Sequence, residues 1–283
     1  MATAQKIAAT DLTPAIGSQV DTDIATLLRG DAASEIRSLL LARGVLVFPE
    51  IGMSDEQQIA FTATLGIPAS ENNGTVGPDG KPQSIYTVDA AQNDAHAIRR
   101  LRNNHLWHLD GSMHDVPILA SLLSAKRVAP VGGETEWANT CAAFAALPKD
   151  EQTHLESLRV VHANWALARH HNPEPTYTEF QQSRRGPSKS QPLVWRHRSG
   201  RKSLVVGSTA AYVEGMAPLD SMDLLVRLRD WATQPRFVYR HAWKVGDLVM
   251  WDNTATLHRA RSYELNCGRL MHRTMLMGEE PIT

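Results

Sequence analysis

The apolar run GVLVFPE at 44–50, rich in β-branched and aromatic residues and closed by Pro49, has the pattern of a buried strand. The next segment, SDEQQIAFTATLG, changes period. Ser54 can cap a helix there, Gln57 completes a capping box, and Gly66 ends it. LDSMDLLVRLRDWATQ puts Leu224, Leu228 and Trp231 on one helical face, with Asp220 as the expected cap. Residues 139–158 read as helical with a break at Pro148. FVYRHAW, DLVMWD, ATLHRA and RTMLMG then follow as short strands, with Gly246 and Asp252-Asn253 as turns. Residues 71–95 and 168–192 are rich in turn formers and are expected to be long irregular loops, of the kind that often cover a site. No repeat and no linker stands out. The expectation is one domain over 1–283, mainly β with flanking helices.

Composition narrows the partners. Of 283 residues 42% are hydrophobic, enough for a large core, and the net charge of -1 argues against a dedicated nucleic-acid binder. Cys141 and Cys267 are far apart and lack CxxC spacing, so neither a disulfide framework nor a cysteine zinc site is expected. No secretory apolar stretch and no run approaching ~20 apolar residues is present. A cytoplasmic homo-oligomer with no membrane or nucleic-acid partner is expected. Residues 184–202 carry seven Lys/Arg and no acid. A solvated basic loop is the first reading, and a grip on an anionic ligand or a neighbouring subunit the second.

HLWHLDGSMHD, 105–115, holds three histidines and two aspartates. If 105–110 is extended, His108 and Asp110 share one face, while Trp107 and Leu109 face the core on the other. His105 then points away, and Gly111-Ser112 leave His114 and Asp115 in a loop. His108-x-Asp110 is therefore a two-ligand bite, though a weak signal alone. His154-x-Glu156 has the same spacing, but on a helix residues two apart diverge. His170-His171 reads as a solvated loop pair. Two histidines and one carboxylate form the facial site of non-haem Fe(II) oxygenases, which leaves positions open for co-substrate and O2. His258, in GDLVMWDNTATLHRARSY, is the candidate third ligand.

LWHLDGSM, APVGGETEW, QPLVWRHRSGRKSLVV, GDLVMWDNTATLHRA and GRLMHRTMLMG occur in an order and spacing that resembles the TauD/TfdA family of Fe(II)- and 2-oxoglutarate-dependent dioxygenases, over nearly the whole chain. The resemblance implies a double-stranded β-helix, or jelly roll. It implies an iron triad of His108, Asp110 and His258. Arg269, eleven positions beyond His258, matches the arginine that binds the distal carboxylate of 2-oxoglutarate, and Thr135 the threonine that assists it. A guanidinium fork suits that carboxylate. Arg273, four further on, is expected near the other carboxylate of the co-substrate or an anionic group of the substrate, or else paired with a buried acid. Asn104 matches a polar substrate-site position, and Met113 is expected as an apolar neighbour of the substrate.

The chain looks closest to the branch that oxidises aryloxyalkanoates. It has no evident His/Tyr pair in its early loop for a taurine-like substrate. The resemblance implies oxidation of a small organic acid with 2-oxoglutarate and O2. At a carbon beside an ether oxygen, hydroxylation gives a hemiacetal that collapses to a phenol and an oxo-acid. The same chemistry on an alkylsulfonate, a sulfate ester or a natural-product carboxylate is the alternative. A zinc hydrolase using the same triad lacks an activating glutamate or HExxH and has no use for Arg269 and Thr135. A non-catalytic jelly-roll binding protein has no use for the triad.

Overall fold

The computed structural model describes residues 7–69, 85–89 and 95–283. The larger sheet runs, in hydrogen-bonded order, Ala8–Asp11, Ser18–Asp21, Val45–Phe48, Leu248–Asp252, Ala120–Arg127, Leu270–Leu276 and Pro68–Ala69. A smaller sheet sets Thr135–Asn139 between Val238–His241 and Thr256–Ala260. Strands far apart in sequence become neighbours: Val47 stands opposite Val249, and Val249 opposite Leu123.

Side-chain alternation builds three layers. Val45, Val47, Leu123, Val249, Trp251 and Met271 turn inward and pack with Trp137 of the smaller sheet. Leu46, Phe48, Leu122, Leu248 and Met250 turn outward against Leu27, Ile36, Leu40, Phe61 and Leu65 of the covering helices. Because both faces are buried, GVLVF reads as continuous rather than alternating. Behind the smaller sheet, Ala138 and Leu257 pack with Leu224, Leu225 and Leu228 of the helix Pro218–Ala232. Each such side chain contributes about 1.5–3 kcal/mol on full burial. This is the jelly-roll architecture expected from the sequence.

The helix Asp55–Leu65 starts on the capping box read from the sequence, with Ser54 and Gln57 exchanging hydrogen bonds, worth about 1 kcal/mol. Its Gln58 carboxamide donates to the carbonyls of Leu122 and His272 and to the Thr274 hydroxyl. That clamp pins the helix to the outer face of the strand whose inner face carries Arg273. Helices Thr140–Ala145 and Lys149–Leu155 flank Pro148 as expected.

Four expectations are corrected. The helix at 218–232 starts at Pro218 after Ala217, so Asp220 lies in its first turn and is not the cap. Proline, with its preset φ, favours that first position. Residues 168–192 are largely ordered: Asn164–Arg169 and Tyr177–Arg184 are helical and Ser188–Pro192 is a strand. Within 71–95, Tyr86–Asp89 is a strand on Leu270–Arg273, while 71–84 and 90–94 lie outside the described residues. The basic segment 184–202 is not a loop throughout: it carries the strands Ser188–Pro192 and Val194–Arg196, and five of its seven cations pair with acids. Arg196 and Lys202 pair with Glu156, Arg201 with Asp252, Arg198 with Glu280 and Lys189 with Asp115.

Candidate metal centre

His108 and His258 are joined through their backbones. The His108 N–H donates to the His258 carbonyl at 3.1 Å, and the His258 N–H returns the bond at 2.9 Å. This is an isolated antiparallel bridge, not the longer strand expected over 105–110. It still enforces alternation: Trp107 and Leu109 enter the core behind the smaller sheet, and the imidazole rings of His108 and His258 lie 4.1 Å apart, centre to centre. Asp110 follows two residues on.

The ligand atoms of His108, Asp110 and His258 all lie within 4.8 Å of one another. The Nε2 of His108 is 3.7 Å from one Asp110 carboxylate oxygen, and the Nε2 of His258 is 3.7 Å from the other. Those gaps exceed a hydrogen bond. The three donors converge without satisfying each other, as ligands around a cation do. His108 Nδ1 donates to the Leu106 carbonyl at 2.7 Å, which leaves Nε2 with its lone pair on the metal side. Burial pushes the Asp110 carboxyl up, with His108 pulling it down. Burial, then His108, holds His258 well below the usual imidazole range. Neutral imidazoles are the coordinating form, and a divalent ion would restore the carboxylate. Two imidazoles and one carboxylate fit Fe(II).

The same cavity is lined by Thr135, Arg269, Arg273 and Asn104. Arg269 is 4% exposed and lies 4.8 Å from the Tyr263 ring. The double glycine before Glu134 makes room for it. At Gly133, φ +79°, a Cβ would sit 3.3 Å from the Arg269 Nε; at Gly132, φ +74°, it would sit 2.1 Å from the Ser262 carbonyl oxygen. Thr135 stands opposite Ala260 across the smaller sheet, and its hydroxyl accepts from the Trp243 indole N–H at 3.0 Å. A hydroxyl that accepts there keeps its one hydrogen for another acceptor. Arg273 reaches the cavity beside Arg269 despite a register shift between Leu270 and Met271, and its Nη1 donates to Asp110 at 3.2 Å.

The remaining candidates are spread out. Met113 is half-buried in the loop after Asp110 and does not line this cavity. His105 Nδ1 bonds the Ala260 carbonyl, and His114 is exposed. His154 is exposed on its helix. His170 is exposed, whereas His171 bonds Asn103, so the two are not a solvated pair. The sequence reading missed Trp243, Tyr263, Leu123, Trp251 and Val88 at the site. None carries a local signal: Val88, Leu123 and Trp251 reach the cavity on paired strands, Tyr263 at an isolated bridge to Gly132, and Trp243 bonds Thr135 from just beyond its strand. Larger cavities of about 560 and 630 Å³ open elsewhere, and neither holds a cluster of three metal-ligating side chains among the described residues.

The sequence profile described as "Taurine catabolism dioxygenase TauD, TfdA family" matches residues 8–275. The alpha-ketoglutarate-dependent 2,4-dichlorophenoxyacetate dioxygenase of Cupriavidus pinatubonensis is 37% identical over 273 residues, covering 92% of this chain and 93% of that protein. The (S)-phenoxypropionate/alpha-ketoglutarate-dioxygenase of Sphingobium herbicidovorans is 32% identical, covering 87% and 86%. The crystal structure of AAD-2 in complex with Mn(II) and N-oxalylglycine superposes with a TM-score of 0.81 at 34% identity, over 98% of this chain and 99% of that one. With this match along nearly its whole length, the chain belongs to the TauD, TfdA family of dioxygenases.

Proposed function

We propose that this chain is an iron(II)- and 2-oxoglutarate-dependent dioxygenase that hydroxylates a small organic anion. The substrate is an aryloxyalkanoate, oxidised beside its ether oxygen so that the product collapses to a phenol and an oxo-acid. One observation carries this reading: a single cavity is lined by His108, His258, Thr135 and two arginines, with the Asp110 carboxylate within 4.8 Å of both imidazoles' ligand atoms. Relatives named for 2,4-dichlorophenoxyacetate and phenoxypropionate support the substrate class.

Bound by His108, Asp110 and His258, iron(II) supplies O2 activation coupled to decarboxylation of 2-oxoglutarate to succinate and CO2. Arg269 and the Thr135 hydroxyl hold the distal carboxylate of the co-substrate, the fork by two parallel bonds. Arg273 orients the substrate anion. Asn104 stands at the same cavity as a polar contact. A neutral substrate would offer the buried Arg273 guanidinium no carboxylate. Leu123, Trp251 and Val88 supply the apolar wall that keeps water from the reacting carbon.

A relative named as a sulfate ester dioxygenase, from Pseudomonas putida, is 27% identical over 93% of the chain and favours a second reading, a sulfate ester or sulfonate in the same site. Succinate release screened over aryloxy acids, alkylsulfonates and sulfate esters separates the two. Better turnover of the sulfur anions would replace the first reading by the second.

We further infer one domain spanning 1–283, acting as a cytoplasmic homo-oligomer. The pairing of Val45–Phe48 with Leu248–Asp252 supports the first. The unpaired Cys141 and Cys267 suit a reducing compartment. Exposed Leu219, Met222 and Val226 on one helix support self-association.

A further inference from the structure

A cavity of about 560 Å³, separate from the metal-ligand cluster, is lined from two sides by the helices Asn164–Arg169 and Pro218–Ala232. That volume is in the range of a small-molecule site. Trp165 from the first helix, Met222 and Leu225 from the second, and Met216 just ahead of it give the cavity an apolar wall. Arg169, His170 and Arg229 line it as well, and no carboxylate does. His170, Arg229 and Ser208 also line a neighbouring cavity of about 310 Å³, so these three stand together at one end. Arg229 is near enough to His170 to help pull its pKa down, after burial as the larger cause. Asp230 lies 3.2 Å from Arg229 on the side of the neighbouring cavity, in an exposed pair with which a ligand can compete.

Ser208 is the second observation. It is 7% exposed, and its hydroxyl is buried with no hydrogen-bond partner. A buried hydroxyl left unsatisfied is costly, and one that lines a cavity is free to donate to a ligand there. The backbone of the same residue touches the metal centre's support: the Ser208 N–H donates to the Trp107 carbonyl at 2.8 Å. At Gly207, φ +127°, a Cβ would sit 3.0 Å from that carbonyl oxygen and 3.3 Å from the His108 Cα. The floor of the cavity therefore lies directly on the segment that presents His108, with no side chain between.

We propose that this cavity is an effector site for an amphipathic carboxylate. The apolar body lies against Trp165 and Met222, and the carboxylate takes Arg229, Arg169 and the Ser208 hydroxyl. Guanidiniums and a neutral donor beside an apolar wall suit that class of ligand and reject its neutral esters. Occupancy is felt at His108, because Ser208 holds the ligand by its side chain and the Trp107 carbonyl by its N–H. Binding does not depend on the dioxygenase reading above, whereas the coupling rests on its metal centre.

The test uses the full chain carrying Arg273→Ala, with excess N-oxalylglycine, so that neither arginine of the metal cavity competes for the probe. Phenoxyacetate and decanoate are titrated calorimetrically into the metal-free and the Mn(II)-loaded forms. One acid per chain is expected to bind, and methyl phenoxyacetate is not. Tighter phenoxyacetate assigns the site to aryl acids, and tighter decanoate to aliphatic ones. Adding Ser208→Ala should weaken binding about fivefold, the loss of one neutral hydrogen bond. Adding Arg169→Ala with Arg229→Ala, or filling the cavity by Ala211→Trp, should abolish it, with urea midpoints checking the fold. Mn(II) should change the affinity of the acid by about fivefold or more, and by linkage the acid should change that of Mn(II) equally. Failure of both acids to bind, or binding undiminished without the two arginines, overturns the site. Equal affinity with and without Mn(II) overturns the effector role. A dimer that dissociates on loss of the two arginines, with no acid bound, shows that a second copy covers the cavity and overturns the ligand. Each of these outcomes leaves the dioxygenase reading standing, which only a failure to bind Mn(II) at all would strike.

Discussion

The Nη1 of Arg273 donates to Asp110 at 3.2 Å, so the cation placed for a substrate anion leans on the carboxylate placed for the metal. The Arg273 guanidinium also lies 5.5 Å from the Tyr86 ring, and burial pulls its pKa down to about 10. It is still a cation at neutral pH. A substrate carboxylate offers this guanidinium an acceptor and leaves Asp110 to the metal. Phenoxyacetate or 2-phenoxypropionate is therefore expected to stimulate succinate release, and the matching amide or methyl ester is not. Arg273→Ala should erase that discrimination. Equal stimulation of the wild type by acid and ester would remove Arg273 from substrate recognition.

The metal prediction separates the clustered residues from their neighbours in the same eleven-residue stretch. Asp110→Ala removes a ligand and the negative charge beside two imidazoles. It should lose both bound iron, measured per chain by metal analysis, and succinate formation. His105→Ala and His114→Gln should keep both, since His105 bonds the Ala260 carbonyl and His114 is exposed. Retained iron in Asp110→Ala, with loss in either histidine variant, would contradict the cluster.

Co-substrate binding depends on a hydrogen's direction as well as on charge. Arg269→Ala should weaken N-oxalylglycine binding by about 2–5 kcal/mol in a desolvated site. Arg269→Lys should recover part of this, because an ammonium lacks the fork. The Trp243 indole occupies the acceptor of Thr135 and turns that hydroxyl outward as a donor. Trp243→Phe should weaken binding by about 1 kcal/mol, a single neutral hydrogen bond. Calorimetric titration of the Mn(II)-loaded protein reads all three variants. An unchanged affinity in Trp243→Phe would show that Thr135 needs no orientation.

A buried histidine behind the metal loop makes stability depend on pH. His162 is fully buried, with Nδ1 2.8 Å from the Thr209 hydroxyl, which in turn bonds Ser112 two residues past Asp110. Burial lowers its pKa to about 4, with the Val205 backbone opposing. Between the unfolded value of about 6.5 and this one, the unfolded chain binds the extra proton, so stability falls as pH falls. The full loss is about 3 kcal/mol. Urea midpoints should drop from pH 6.5 to pH 4 and flatten in His162→Gln. The same slope in that variant would place the effect on other groups.

The sequence by itself determined the local elements and half of the site. Short apolar runs marked the strands that pair in the two sheets, and Ser54 with Gln57 marked a helix start, because both signals act between residues close in the chain. His108 and Asp110 could be placed on one face with Trp107 and Leu109 on the other, since alternation needs only an extended backbone. The capping box of Thr176 and Glu179 was equally local, but the turn formers around it masked it. Tertiary structure decided the rest. Tyr86–Asp89 is a strand because Leu270–Arg273 offers it hydrogen bonds, and nothing within its own four residues says so. His258 joins the metal ligands through a backbone bridge to His108, and Trp243 meets Thr135 just beyond the strand pair that sets His241 opposite Thr135. These contacts depend on which strands become neighbours, and that is set by which faces the whole chain can bury together.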